Sequence, residues 1–259
     1  LEDDLMRIYS DTDREKLLKL IENGQQDKLR ALVDEAQERV MNAQADARLS
    51  TAKYDQVANR QREIVWSFRD AWVESSPELQ HRSDDAMDVR TTVNDWMVEA
   101  FTAAVEEKLE GKRKPSDERL QQAVDAVSSE LKFPLEIPPG KGSWRERVER
   151  SLRDKVAQCE ADIEKYRGGL PENMVATHSW RSLLESLDEG WTNQLQVLED
   201  EKQGSNLEAY AGKEPEQAYL ERSFKAFDEM WKGVKRGVAD KVLHQLAEAA
   251  SALRNQAQA

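Results

Sequence analysis

The chain has a single cysteine, Cys159, so no internal disulfide can staple it. Its 259 residues hold only 11 glycines and 7 prolines, too few for the many tight turns of a β-sandwich. Basic residues are in deficit, with 38 Lys and Arg against 51 Asp and Glu, for a net charge of -13. That balance argues against a nucleic-acid partner, because gripping phosphates requires a surplus of cations. No apolar run approaches the roughly 18 residues of a membrane span, so no transmembrane segment is expected. No basic-then-apolar segment follows Leu1, which speaks against a retained signal peptide. With one cysteine, this favours an intracellular setting.

What is present is helical periodicity. Apolar residues recur at intervals of three and four nearly everywhere, and period-2 alternation is almost absent. Seven helices are expected. The first spans about 2 to 23 and stops at Gly24. The second, from 26 to 74, contains neither Gly nor Pro. Along it Leu29, Val33, Ala36, Val40, Ala43, Ala47, Ser50, Tyr54, Val57, Gln61, Ile64, Phe68 and Ala71 are spaced alternately by four and three. That is a heptad seam over about six heptads, the pattern that winds a helix around a partner. Gln61 interrupts the apolar run as a candidate register residue.

Ser75-Ser76-Pro77 reads as a helix start, with the third helix reaching Glu110. Ser116 caps a fourth helix, and Ser143 with Glu146 forms a capping box for a fifth. Between them, the three prolines of residues 132 to 142 forbid a regular helix. Phe133, Leu135 and Ile137 alternate there, as in a segment that packs on something. A sixth helix is expected from 179 to 202, a polar loop from Gly204 to Gly212, and a seventh helix from Pro215 to 254. The last helix carries Leu220, Phe224, Phe227, Trp231, Val234 and Val238 at heptad spacing. Its Gly233 and Gly237 weaken it locally and allow close approach of another backbone.

Chemical motifs are weak. Asp84-Asp85-Ala86-Met87-Asp88 resembles the DDxxD pattern by which class I terpene and prenyl synthases hold magnesium and a diphosphate. No second metal motif follows at the needed distance, and an acidic helix start explains the cluster equally well. His81, His178 and His244 are scattered, so no metal site is expected. Pro139-Gly140-Lys141-Gly142-Ser143 fails the phosphate-loop pattern, because Leu135 stands where its first Gly belongs and Gly142 follows the Lys. Cys159 lies on an apolar stripe as an inert filler. No cofactor is expected.

The expected fold is therefore all-α, an elongated antiparallel bundle or coiled coil with one helix of about 45 residues. Long helices give it the outline of BAR-like membrane benders and dynamin-like stalks, although no residue pattern supports either. Residues 1–131 form a long-helix half, 132–142 a hinge or turn, and 143–259 a second helical half. The expected function is that of a non-enzymatic scaffold for protein–protein interaction or self-assembly, with a homo-oligomer expected. Its contact residues would be Val33, Val40, Ala47, Tyr54 and Phe68 on the seam, with Trp66 and Trp72 at its end. A membrane-associated stalk is the alternative, using Lys232, Lys235, Arg236 and Lys241 on anionic lipid or an acidic partner. A magnesium-dependent enzyme through Asp84, Asp85 and Asp88 ranks last.

Overall fold

In the computed structural model, which describes residues 11–78, 88–208 and 215–258, seven helices and no strands occur among the described residues. The first, α1 (Asp11–Glu22), turns at Gly24, whose φ of 65° suits a residue without a Cβ. It packs back on α2 (Gln26–Glu74), a 49-residue helix with the bounds the sequence indicates. At ~1.5 Å per residue α2 is on the order of 70 Å long. The Ser75 hydroxyl donates to the Ala71 carbonyl at its end.

The third helix, α3 (Val89–Lys108), starts about a dozen residues later than the Pro77 signal indicates. Its N-cap is Asp88, whose carboxylate accepts from the Arg90 and Thr91 amides. A carboxylate at that position satisfies orphan N–H groups and complements the helix dipole. The fourth helix is α4 (Asp117–Glu130), capped by Ser116. The capping box of Ser143 and Glu146 opens α5 (Trp144–Tyr166) with both reciprocal bonds in place. Both α6 (Met174–Glu208) and α7 (Pro215–Gln258) exceed their expected lengths, and Gly204 lies inside α6 rather than in a loop.

The main core is built where the end of α2 meets α3, α4, α5, α6 and α7, around Trp72, Phe101, Leu152, Leu183 and Leu243. The segment 132–142 joins it. Phe133, Leu135 and Ile137 are buried, and Gln121 brackets their backbone by donating to the Leu135 carbonyl and accepting from the Ile137 amide. Two smaller apolar clusters continue along α2, α6 and α7. One holds Val65, Leu187, Met230 and Val234, and the other Tyr54, Leu198 and Tyr219.

The α6–α7 pair is antiparallel and tight. A Cβ on Gly190 would stand 2.6 Å from Val234 Cγ2, and one on Gly237 would stand 3.1 Å from Ser186 Oγ. Gly237 thus permits the close approach its position suggests, whereas Gly233 faces open space.

Candidate interaction surfaces

The heptad seam of α2 divides near Tyr54. Before it, Ala36 is buried, Val40 is half-buried and Val33 is 44% exposed. Every residue from Met41 to Leu49 is exposed, Ala43 and Ala47 included. From Tyr54 onward the helix is embedded between α6 and α7. The buried positions there are Tyr54, Gln61, Val65 and Trp72. The inward face keeps Tyr54, Gln61 and Phe68 of the expected seam, while the alternate positions shift by one residue. Val65 and Trp72 are buried, while Ile64 is 43% exposed and Ala71 half-buried. Two neighbours rather than one explain this, since a helix between two others buries a wider stripe than a two-stranded seam.

The aromatic residues at the end of α2 separate in the same way. Trp72 is fully buried and Trp66 is 52% exposed. The Trp72 indole donates to the Trp180 carbonyl at 3.1 Å, and the Trp180 indole returns a bond to the Trp72 carbonyl at 2.8 Å. That reciprocal pair ties the last turn of α2 to α6. Phe68 is half-buried, stacks on Trp96 at 5.4 Å and meets Trp231 edge-on at 5.2 Å, joining α2, α3 and α7. Tyr54 meets Tyr219 edge-on at 4.7 Å. Of the seven candidate contact residues, Tyr54, Phe68 and Trp72 therefore lie against the chain's own helices. Val33, Ala47 and Trp66 face outward, and Val40 lies between.

A buried polar layer separates the two small apolar clusters. Gln61 donates to the Ser223 carbonyl at 3.0 Å, and Gln194 donates to the Gln61 side-chain oxygen at 2.9 Å. The signal for Gln61 is visible in the sequence. Gln194 and Ser223 are not, because neither sits at a distinctive spacing.

On α7 the heptad reading places Leu220 and Phe224 inward, and the structure corrects it. Phe224 is 66% and Leu220 40% exposed, while Tyr219 and Ser223 are buried in their place. Ile64, Tyr219, Leu220 and Phe224 line a groove of about 1320 Å³ between α2 and α7.

The basic residues Lys232, Lys235, Arg236 and Lys241 of α7 are engaged by carboxylates. Lys235 contacts Glu99 at 2.6 Å, Arg236 contacts Glu107 at 3.2 Å, and Lys241 contacts Glu189 at 3.2 Å. Lys232 bridges Asp228 and Glu229 on its own helix. Lys235, Arg236 and Lys241 thus hold α7 to α3 and α6 across the surface.

Of the aspartate cluster, Asp84 and Asp85 lie outside the described residues, as do His81 and Ser83. Asp88 caps α3 and also accepts from the Thr91 hydroxyl at 2.5 Å. It precedes α3 and so is not on that helix's face. Among the described residues no cluster of His, Cys, Asp or Glu has the geometry of a metal site. Cys159 is buried, and burial raises its thiol pKa. No helix among the described residues is long and apolar enough to cross a membrane.

Comparison with known proteins agrees with this architecture. The chain is 27% identical over 249 residues to the protein translocase subunit SecA of Chloroflexus aurantiacus, covering 94% of the chain and 24% of that protein. The corresponding subunit of Psychrobacter arcticus is 29% identical over 245 residues, covering 91% of the chain and 25% of that protein. That of Stutzerimonas stutzeri is 24% identical over 246 residues, with the same coverage. The chain spans about a quarter of the length of these curated relatives. The model of the SecA Wing and Scaffold domain matches residues 25–245, from the start of α2 to deep within α7, and the chain belongs to that family.

Proposed function

We propose that the chain is the non-catalytic scaffold and wing of a SecA-type protein translocase. In this reading α2 is a beam whose two halves do different work. The half after Tyr54 anchors the chain's own bundle. The half before it receives another part of the translocase. The observation that carries the reading is the abrupt change in burial along one uninterrupted helix. On the seam that continues from 29 to 50, Val33 is 44% exposed and Ala43 and Ala47 are exposed, Met41 and Leu49 beside it are 67% and 58% exposed, and no second long helix among the described residues covers these positions. Exposed apolar side chains at heptad spacing mark a surface that another body covers. Three quarters of each relative's length lies outside the matched region and is large enough to supply that body. Self-assembly through the same strip is the second reading, supported by the same exposure. The membrane reading receives less support, because the cations it needs are paired with carboxylates.

The test mixes the chain with the part of a SecA translocase that lacks its own wing and scaffold. Light scattering should show the chain alone as one copy and the mixture as a one-to-one complex. Val33→Glu combined with Val40→Glu should weaken the complex at least tenfold and leave helicity intact. A chain that doubles its own mass through this strip would favour self-assembly. A complex indifferent to both charges would remove the strip from the account.

A further inference from the structure

The polar layer inside the α2–α6–α7 bundle carries an inference that does not depend on the translocase reading. At the base of the bundle α2 is pinned to α6 by the reciprocal Trp72 and Trp180 bonds. Eleven residues earlier on α2, or about 16 Å along the axis, the Gln61 amide reaches the Ser223 carbonyl of α7 and accepts from Gln194 of α6. Gln61 is 5% and Gln194 2% exposed, so water does not replace these bonds. Beyond this layer, among the described residues, the buried apolar contact is that of Tyr54, Leu198 and Tyr219, with Val57 and Ala58 beside them.

Apolar contact is non-directional, whereas a hydrogen bond weakens steeply when distance or angle departs from its optimum. The pairs Lys53–Glu216 and Lys202–Asp55, which join this end of the hairpin to α2, lie at the surface and hold position weakly. The seam of α2 also continues toward its N-terminus in small residues (Ser50, Ala47, Ala43), a further track along the helix. Without the polar layer, the bonds described from the far end of the hairpin to α2 are pairs of solvent-exposed side chains such as Lys53–Glu216 and Lys202–Asp55, which adjust more readily than a buried amide network. We infer that Gln61 and Gln194 are positioning residues: they fix the angle at which the α6–α7 hairpin crosses α2. A buried polar pair that selects one arrangement at no gain in stability is the best-attested use of such groups.

The test labels Arg48→Cys on α2 and Gln217→Cys on α7 with nitroxides, in a Cys159→Ala background, and measures the distance distribution between them. The parent should give one narrow distance. Gln61→Met with Gln194→Leu should keep its helicity and melt no lower than the parent. Its distribution should broaden or split, with at least a tenth of the molecules displaced by several ångströms. Tyr54→Leu is the control, melting lower but keeping the narrow distance. A narrow, unchanged distance in the apolar double variant would overturn the inference. So would loss of folding in that variant, since it would make the layer a requirement for stability rather than for alignment.

Discussion

At the scale of single residues, burial decides which groups respond to chemistry and pH. The Cys159 thiol is raised in pKa chiefly by burial, and the nearby Lys155 only partly opposes this. The thiolate is the reactive form, so native Cys159 should react with a thiol reagent at pH 8 at least tenfold more slowly than in denaturant. Equal rates would place it at the surface. His178 is lowered from its usual value, first by burial of the imidazole and then by Arg181, against the opposing pull of Glu185 and a backbone bond to Lys241. The unfolded chain therefore takes up this proton before the folded one. The stability His178 contributes is full above pH 6.5 and is lost as pH falls toward its lower folded value. Denaturant midpoints between pH 7.5 and 5.5 should fall less in a His178→Gln variant than in the parent. The largest single-residue cost should be Trp72→Ala, at about 3 to 5 kcal/mol, since it empties the core and removes the Trp72 indole's bond to the Trp180 carbonyl. A midpoint shift worth under 1 kcal/mol would contradict the packing described.

At the scale of elements, the glycines of the last two helices divide by what surrounds them. Gly190→Ala drives a methyl into Val234 and should cost about 1 to 3 kcal/mol. Gly233→Ala meets nothing and should stabilise α7 by up to about 1 kcal/mol, read from thermal melts. These two outcomes could not be separated from the sequence, where both residues are glycines inside helical patterns. What was legible there is local. The bounds of α2, the capping box of α5 and the packing of Phe133, Leu135 and Ile137 follow from breakers, caps and alternation, all visible within a few residues. What was not legible depends on neighbours. The face of α2 that turns inward after Tyr54 is set by two packing helices, so Val65 and Trp72 displace Ile64 and Ala71. Phe224 and Leu220 sit on a heptad yet face a groove, because α7 has α2 on only one side there. Asp88 belongs to a pattern that suggests metal binding, and its capping role emerges only from where α3 begins.

At the scale of the whole molecule, an acidic chain holds its long helices together with a modest core and many surface pairs. Carboxylates of α3 and α6 meet Lys235, Arg236 and Lys241 of α7, so one patch of positive charge is used internally. Exposed pairs of this kind add little each and are screened by salt, so raising salt should shift the melting point only slightly. The scaffold character expected from the heptads agrees with membership in the wing and scaffold family. The division of labour along α2 is the central claim. Amide hydrogen exchange of the isolated chain tests it most directly. Residues 41–53 should exchange on the order of 100-fold faster than residues 61–74, since only the latter are locked between α6 and α7. Uniform protection along the whole of α2 would contradict the account, because the strip would then already be covered.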